Sequence, residues 1–139
     1  MDVGKAIFGI LDDAANVKAL VNNATTGTRI YPSGYRVPTS TTAPFIIYHI
    51  VSTTPNNTKN GVSTYDYVVA QISVFAQSYD TCQDLSKKVR TALDYYSGTT
   101  RGVVIDKCFF ESGSNAFDDS FGDNGIHQMD MDFRFNINL

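Results

Sequence analysis

The sequence has no tryptophan, only two cysteines and four prolines, and 11 basic residues against 14 acidic ones, for a formal net charge of −3. Nowhere do Lys and Arg form a block. Strong non-specific binding to nucleic acid needs clustered cations that displace counterions from the phosphates, so a duplex-binding role is disfavoured. No apolar run approaches the ~20 residues that cross a bilayer. The N-terminus, MDVGKAIFGILDD, has neither the basic region nor the small-residue cleavage site of a signal peptide, and the chain is expected to stay in the cytosol that makes it. Cys82 and Cys108 are too few for a disulfide framework and read as buried, reduced thiols. Without a secretory signal, the glycosylation patterns at Asn23 and Asn56 carry no meaning. Also missing are Gly-x-Ser-x-Gly, Gly-x-x-x-x-Gly-Lys, His-Glu-x-x-His and Cys-x-x-Cys, which removes the commonest enzyme signatures.

What is present suits an ordinary globular protein: 139 residues, 42% hydrophobic and 18% charged. That length fits a single domain spanning 1–139. Asp2 can cap a first helix whose apolar stripe runs from Val3 through Ile7, Ile10, Leu11, Ala14 and Val17 to Val21. Gly9 stands in the middle of it, at a cost of about 1 kcal/mol relative to Ala. Thr28 to Thr42 reads as a long connection with one ordered island, Arg29-Ile30-Tyr31-Pro32. Pro32 and Pro38 lack the amide donor that a central strand requires. Tyr31, Tyr35 and Arg36 along this arm are residue types that anchor protein interfaces.

A first strand follows at Pro44–Val51, then a polar turn at Thr53–Gly61, then a long second strand from about Ser63 to Gln77. Within that strand Val68, Ala70, Ile72, Val74 and Ala76 alternate with Tyr65, Tyr67, Val69, Gln71, Ser73 and Phe75. From Ser78 the period changes to a helical one, carried by Cys82, Leu85, Val89, Ala92 and Leu93 and stopping at Gly98. A third strand is expected at Val103–Glu111, a loop at Ser112–Gly125, and a last strand at Ile126–Ile137. The expected fold is α+β, in the order α–β–β–α–β–β: a four-stranded, mainly antiparallel sheet with two helices packed on one face. The other face would expose Phe and Tyr, which argues for packing between subunits.

Candidate chemistry is sparse. His49 and His127 lie in strands, and nothing places either beside a nucleophile. Asp130 and Asp132, two apart on one strand, share a face at about 7 Å and could form a carboxylate pair, but alternation on a solvated face explains them without catalysis. Asp118, Asp119 and Asp123 lack the spacing of a calcium loop. No metal, cofactor or catalytic residue is expected.

Several motifs occur together in order: Arg29-Ile30-Tyr31-Pro32; Ala43-Pro44-Phe45-Ile46-Ile47-Tyr48; Gln71-Ile72-Ser73-Val74-Phe75-Ala76 running into Ser78-Tyr79-Asp80; and Leu85…Val89-Arg90-Thr91-Ala92-Leu93-Asp94. The ending adds Glu111-Ser112-Gly113, Phe117-Asp118-Asp119, Gly125-Ile126-His127 and Met131-Asp132-Phe133-Arg134. Jointly they resemble the tail-completion proteins of long-tailed bacteriophages over nearly the whole chain. The polar turn at Thr53–Gly61 is longer here than in that family.

The resemblance implies a structural virion protein, not an enzyme. Its subunits would form a ring, a hexamer, that caps the tail tube and meets the head connector. DNA would pass through the lumen, with no membrane involved. On that reading Tyr31, Tyr35, Arg36, Asn56, Asn57, Lys59, Tyr65 and Tyr67 are expected at subunit or partner contacts. The acids Asp118, Asp119, Asp123, Asp130 and Asp132 are expected to face the channel. The alternatives are a head-closure or connector adaptor of the phage neck, or a small-molecule-binding α+β domain that uses His49 or His127.

Overall fold

The computed structural model describes residues 2–23, 27–33, 44–57, 59, 61–62, 64–118 and 125–139. Helices α1 (Val3–Asp13) and α2 (Ala15–Val21) come first, followed by two short strands, β1 (Asn22–Asn23) and β2 (Gly27–Thr28). Next are β3 (Ile30–Pro32), β4 (Phe45–Pro55), β5 (Tyr65–Ala76), α3 (Tyr79–Leu93), β6 (Gly98–Thr100), β7 (Val103–Asp118) and β8 (Ile126–Asn138). β1 and β2 pair with each other; the other six strands form one sheet in the order β3-β4-β5-β8-β7-β6. β3 runs parallel to β4, and every other neighbour is antiparallel.

The expected four-stranded sheet with two helices is therefore corrected to a six-stranded, mixed, curled sheet with three helices. Each difference has a local cause. The first helix is two helices because Ala14 takes an extended conformation (φ −79°, ψ 104°) between them. The island at Arg29–Pro32 becomes β3, an edge strand, where a proline without an amide donor is tolerated. β6 is the short arm of a hairpin whose two-residue turn, Arg101-Gly102, has positive φ at both positions (51° and 79°), the geometry that matches strand twist. β7 extends through Ser112–Asp118, which the sequence assigns to a loop, because those residues pair with β8 from Ile126 to Asp132.

α3 starts where the period changes: the Ser78 hydroxyl accepts from the Thr81 amide at 3.4 Å, a side-chain cap on the first turn. It ends at Leu93, earlier than Gly98, with Tyr95 (φ 62°) in the left-handed region. The Asp94 carboxylate then accepts from the Phe110 amide at 3.0 Å and so ties the helix end to the edge of β7.

The core lies between the sheet and the helices. On β5, Val68, Ala70, Ile72, Val74 and Ala76 are buried; Met131, Phe133, Phe135 and Ile137 of β8 stand beside them in register. Leu85, Val89 and Leu93 of α3 cover this surface. Each fully buried Phe or Leu contributes about 1.5–3 kcal/mol of burial free energy, so these rows dominate the fold.

α1 packs against β3 and also against β6, the two opposite edges of the sheet, which is how the sheet curls around it. The approach at β6 is close. A Cβ on Gly9 would lie 2.9 Å from Thr100 Oγ1 and 2.9 Å from Arg101 Cγ, so the glycine that weakens the helix on paper is what lets it meet the β6–β7 turn.

Candidate functional site: the open sheet face

The second face of the sheet has no helix on it among the described residues, and register fixes what it displays. β4 contributes Phe45, Ile47 and His49; β5 contributes Tyr67, Val69, Gln71, Ser73 and Phe75. β8 contributes Gln128, Asp130, Asp132, Arg134 and Asn136, and β7 contributes Lys107 and Phe109. Phe45 and Phe75 stack at 4.8 Å across the β4–β5 pair, and the Arg134 guanidinium lies 5.2 Å from the Phe109 ring centre. The face is thus a mixture of half-exposed apolar groups and a polar row along β8.

That row is internally bonded. Asp130 accepts from the Ser73 hydroxyl at 2.7 Å and from the Gln128 amide at 2.7 Å, and Asp132 accepts from Ser112 at 3.2 Å. Both carboxylates stand on the open face. Their partners among the described residues are hydroxyl and amide donors, with no imidazole in the chain of bonds. The two histidines do not share a site: His49 pairs with Gln71 on the open face, while His127 pairs with Ala76 on the helix side. There His127 contacts the Phe117 ring at 4.8 Å and the Tyr79 ring at 5.9 Å, at the outer end of the β7–β8 hairpin.

Of the residues proposed from the sequence as contacts, Tyr31 lies in β3 beside Ile47, on the open side. Tyr65 donates to Asp106 at 2.8 Å and stacks edge-on with Tyr67 at 5.5 Å. Loss of solvent, followed by the hydrogen bond to Asp106 and that carboxylate's charge, raises the Tyr65 hydroxyl above its ordinary pKa. Asn56, Asn57 and Lys59 are exposed in the turn that follows β4. Tyr35, Arg36, Asp119 and Asp123 lie outside the described residues, and Asp118 is placed only as the last residue of β7.

Among the described residues no group of three His, Cys, Asp or Glu side chains converges as metal ligands do. One recess of about 480 Å³ opens beside the start of α1, lined by Asp2, Lys5, Tyr48, His49 and Ile50 among others. Burial, and secondarily the Asp2 carboxylate, raise the Tyr48 hydroxyl. Sequence reasoning missed Phe45, Phe75 and Phe109 as a surface set. The alternation of β5 hinted at Phe75, but which strands would lie beside it was not legible.

Residues 5–138 match the family described as Tail completion protein gp17. The chain belongs to that family. As a tail completion protein it is a structural protein of the bacteriophage tail, and its place is the virion. A chain of the solved structure titled "Virion of native gene transfer agent (GTA) particle" is similar, with a TM-score of 0.71 at 17% identity over 96% of this chain and 92% of that one. At that identity the likeness shows a shared fold. No curated protein matches the chain in sequence. Among the described residues no helix of this tail completion protein is long and apolar enough to cross a membrane.

Proposed function

We propose that this tail completion protein is a tail terminator: six copies close into a ring that caps the finished tail tube, stops its growth and offers a surface to the head connector. DNA crosses the ring's lumen on ejection, and no bond is made or broken. The observation that carries the reading is a sheet face with no helix on it among the described residues, displaying the bonded acids Asp130 and Asp132, in a chain of a tail completion family. Head-to-tail contacts between copies that close produce a ring, and such a face then lines its lumen.

In this assembly the arm with Tyr31, Tyr35 and Arg36, the turn with Asn56, Asn57 and Lys59, and the pair Tyr65 and Tyr67 meet neighbouring subunits, tube or connector. Asp130 and Asp132, with Asp118 at the end of β7 and with Asp119 and Asp123, face the channel, where negative charge keeps the phosphates of passing DNA from adhering. The chain's net charge of −3 is consistent with that role.

Light scattering of the purified protein, alone and mixed with tail tube, tests this reading. The expected result is a mass of several protomers that rises with concentration or on addition of tube. A protein that stays at one protomer in both conditions contradicts it. A mass that rises only with the connector indicates a head-closure adaptor instead.

A further inference from the structure

The long strands β4 and β7 are each covered along only part of their outer edge. β3 pairs with β4 at Ile46–Tyr48, and Ser33 bonds the Tyr48 carbonyl at 2.7 Å; beyond that point no described strand pairs with the outer side of β4. On the opposite edge, β6 covers β7 at Val103–Ile105. Tyr95 and Tyr96 exchange main-chain bonds with Cys108 at 2.7 and 3.0 Å, and Asp94 takes the Phe110 amide. From Glu111 to Phe117 every β7 residue is exposed, and no described strand pairs with the outer side. Both free segments begin at a bulge, between Ile50 and Ser52 in β4 and between Phe110 and Ser112 in β7.

The direction of the main-chain groups follows from the covered parts. Cys108 and Phe110, on the helix side of β7, turn theirs outward, and past the bulge Gly113, Asn115 and Phe117 continue that set. In β4, Ile46 and Tyr48 point outward, and Thr53 continues their set beyond its own bulge. Among the described residues these N–H and C=O groups have no strand partner, and a row of such groups is a template for another strand. Proteins that must stay monomeric blunt such edges with lysine or proline. Here 111–117 holds a single charge, Glu111, and no lysine, and in 49–55 the proline comes only at the last position, Pro55.

We propose that the free edge of β7 pairs with the free edge of β4 in the next copy of this chain, so that the sheets of neighbouring protomers run on as one. This rests on the ring reading above and names its contact. The two edges lie on opposite sides of one sheet, so the pairing is head-to-tail, as ring closure requires. β4 and β7 run in opposite directions within the protomer. Rotation about an axis along the strands preserves those directions, so the new pair is antiparallel. The free part of β4 lies level with the C-terminal half of β8 and that of β7 with the N-terminal half. This stagger is the kind that tilted strands need to close a barrel-like wall. Neither edge brings like charges face to face.

Asn115→Pro and Thr53→Pro each delete one outward amide while leaving the bonds to β8 and β5 in place; Asn115→Ala keeps the amide and controls for loss of the Gln83 contact. The full chain carrying either proline is expected to keep its circular dichroism and lose at least tenfold of the assembled fraction, while Asn115→Ala assembles like the parent. Independently, the double variant Asn115→Cys/Thr53→Cys, treated with a short bis-maleimide, is expected to give a ladder of covalent multimers that neither single variant gives. Assembly of both proline variants at the parent's level, or an assembled double variant with no ladder, overturns the edge pairing and leaves the ring standing. Cross-links to tube protein in place of a second copy also overturn it. A parent that never assembles, with or without tube, overturns the ring reading and the edge pairing with it. Should the prolines prevent folding, the cross-link decides.

Discussion

Gly9 shows how one residue can be judged oppositely by local and tertiary criteria. In an isolated helix, Gly9→Ala gains about 1 kcal/mol of propensity. Here the added methyl meets the buried Thr100 and the stem of Arg101 at 2.9 Å, and overpacking of that kind costs typically 1–3 kcal/mol. Gly9→Ala is therefore expected to lower the thermal midpoint by a few degrees; a rise would mean that the β6–β7 turn yields freely. The two thiols are equally specific. Burial raises Cys82 and raises Cys108 further, with the Asp94 carboxylate adding to the latter. A thiol raised in the folded state adds stability in full below its ordinary value of 9.0, and that stability is lost as the pH climbs past it, because the unfolded chain ionises first. Denaturant melts are expected to show falling stability above about pH 9. A thiol-specific reagent at pH 8 should find no reactive cysteine until the protein unfolds; rapid labelling of the native protein would contradict the burial of both. That these thiols are buried was readable from their apolar, periodic settings. The role of Gly9 was not, because a sequence cannot say which turn a helix will meet.

Among the elements, those with strong periodicity were legible. The change of period at Ser78, the small apolar row of β5 and the alternation of β8 each appear where the sequence puts them, and Ile72, Val74, Leu85, Val89 and Leu93 are fully buried. What failed is what pairing decides. Ser112–Phe117 is rich in Gly, Ser and Asn and has little β-propensity, so only its ladder with β8 makes it a strand. β3 is three residues and β6 is three, too short to show a period, and the break at Ala14 interrupts an apolar stripe that continues on both sides of it. Among the described residues, the extension of β7 and the brevity of β3 and β6 together leave the two edges without a strand partner. Of the candidate site, the acids of β8 and the tyrosines of β5 were legible by alternation; the aromatic pair Phe45 and Phe75 and the uncovered edges required strand order.

At the scale of the whole molecule, helices clothe one side of the curled sheet, and the other side displays a bonded row of acids beside half-exposed aromatics. The proposed terminator ring would complete such a protomer with copies of itself. The most direct measurement is electron microscopy of tail tubes polymerised with and without the protein. Tubes grown with it are expected to carry one ring at one end and to stop lengthening, with Asp130 and Asp132 on the channel wall in an averaged map. Tubes that keep growing without a terminal ring would contradict the account. A ring that places those two acids between subunits or on its outer rim would contradict the assignment of the sheet face.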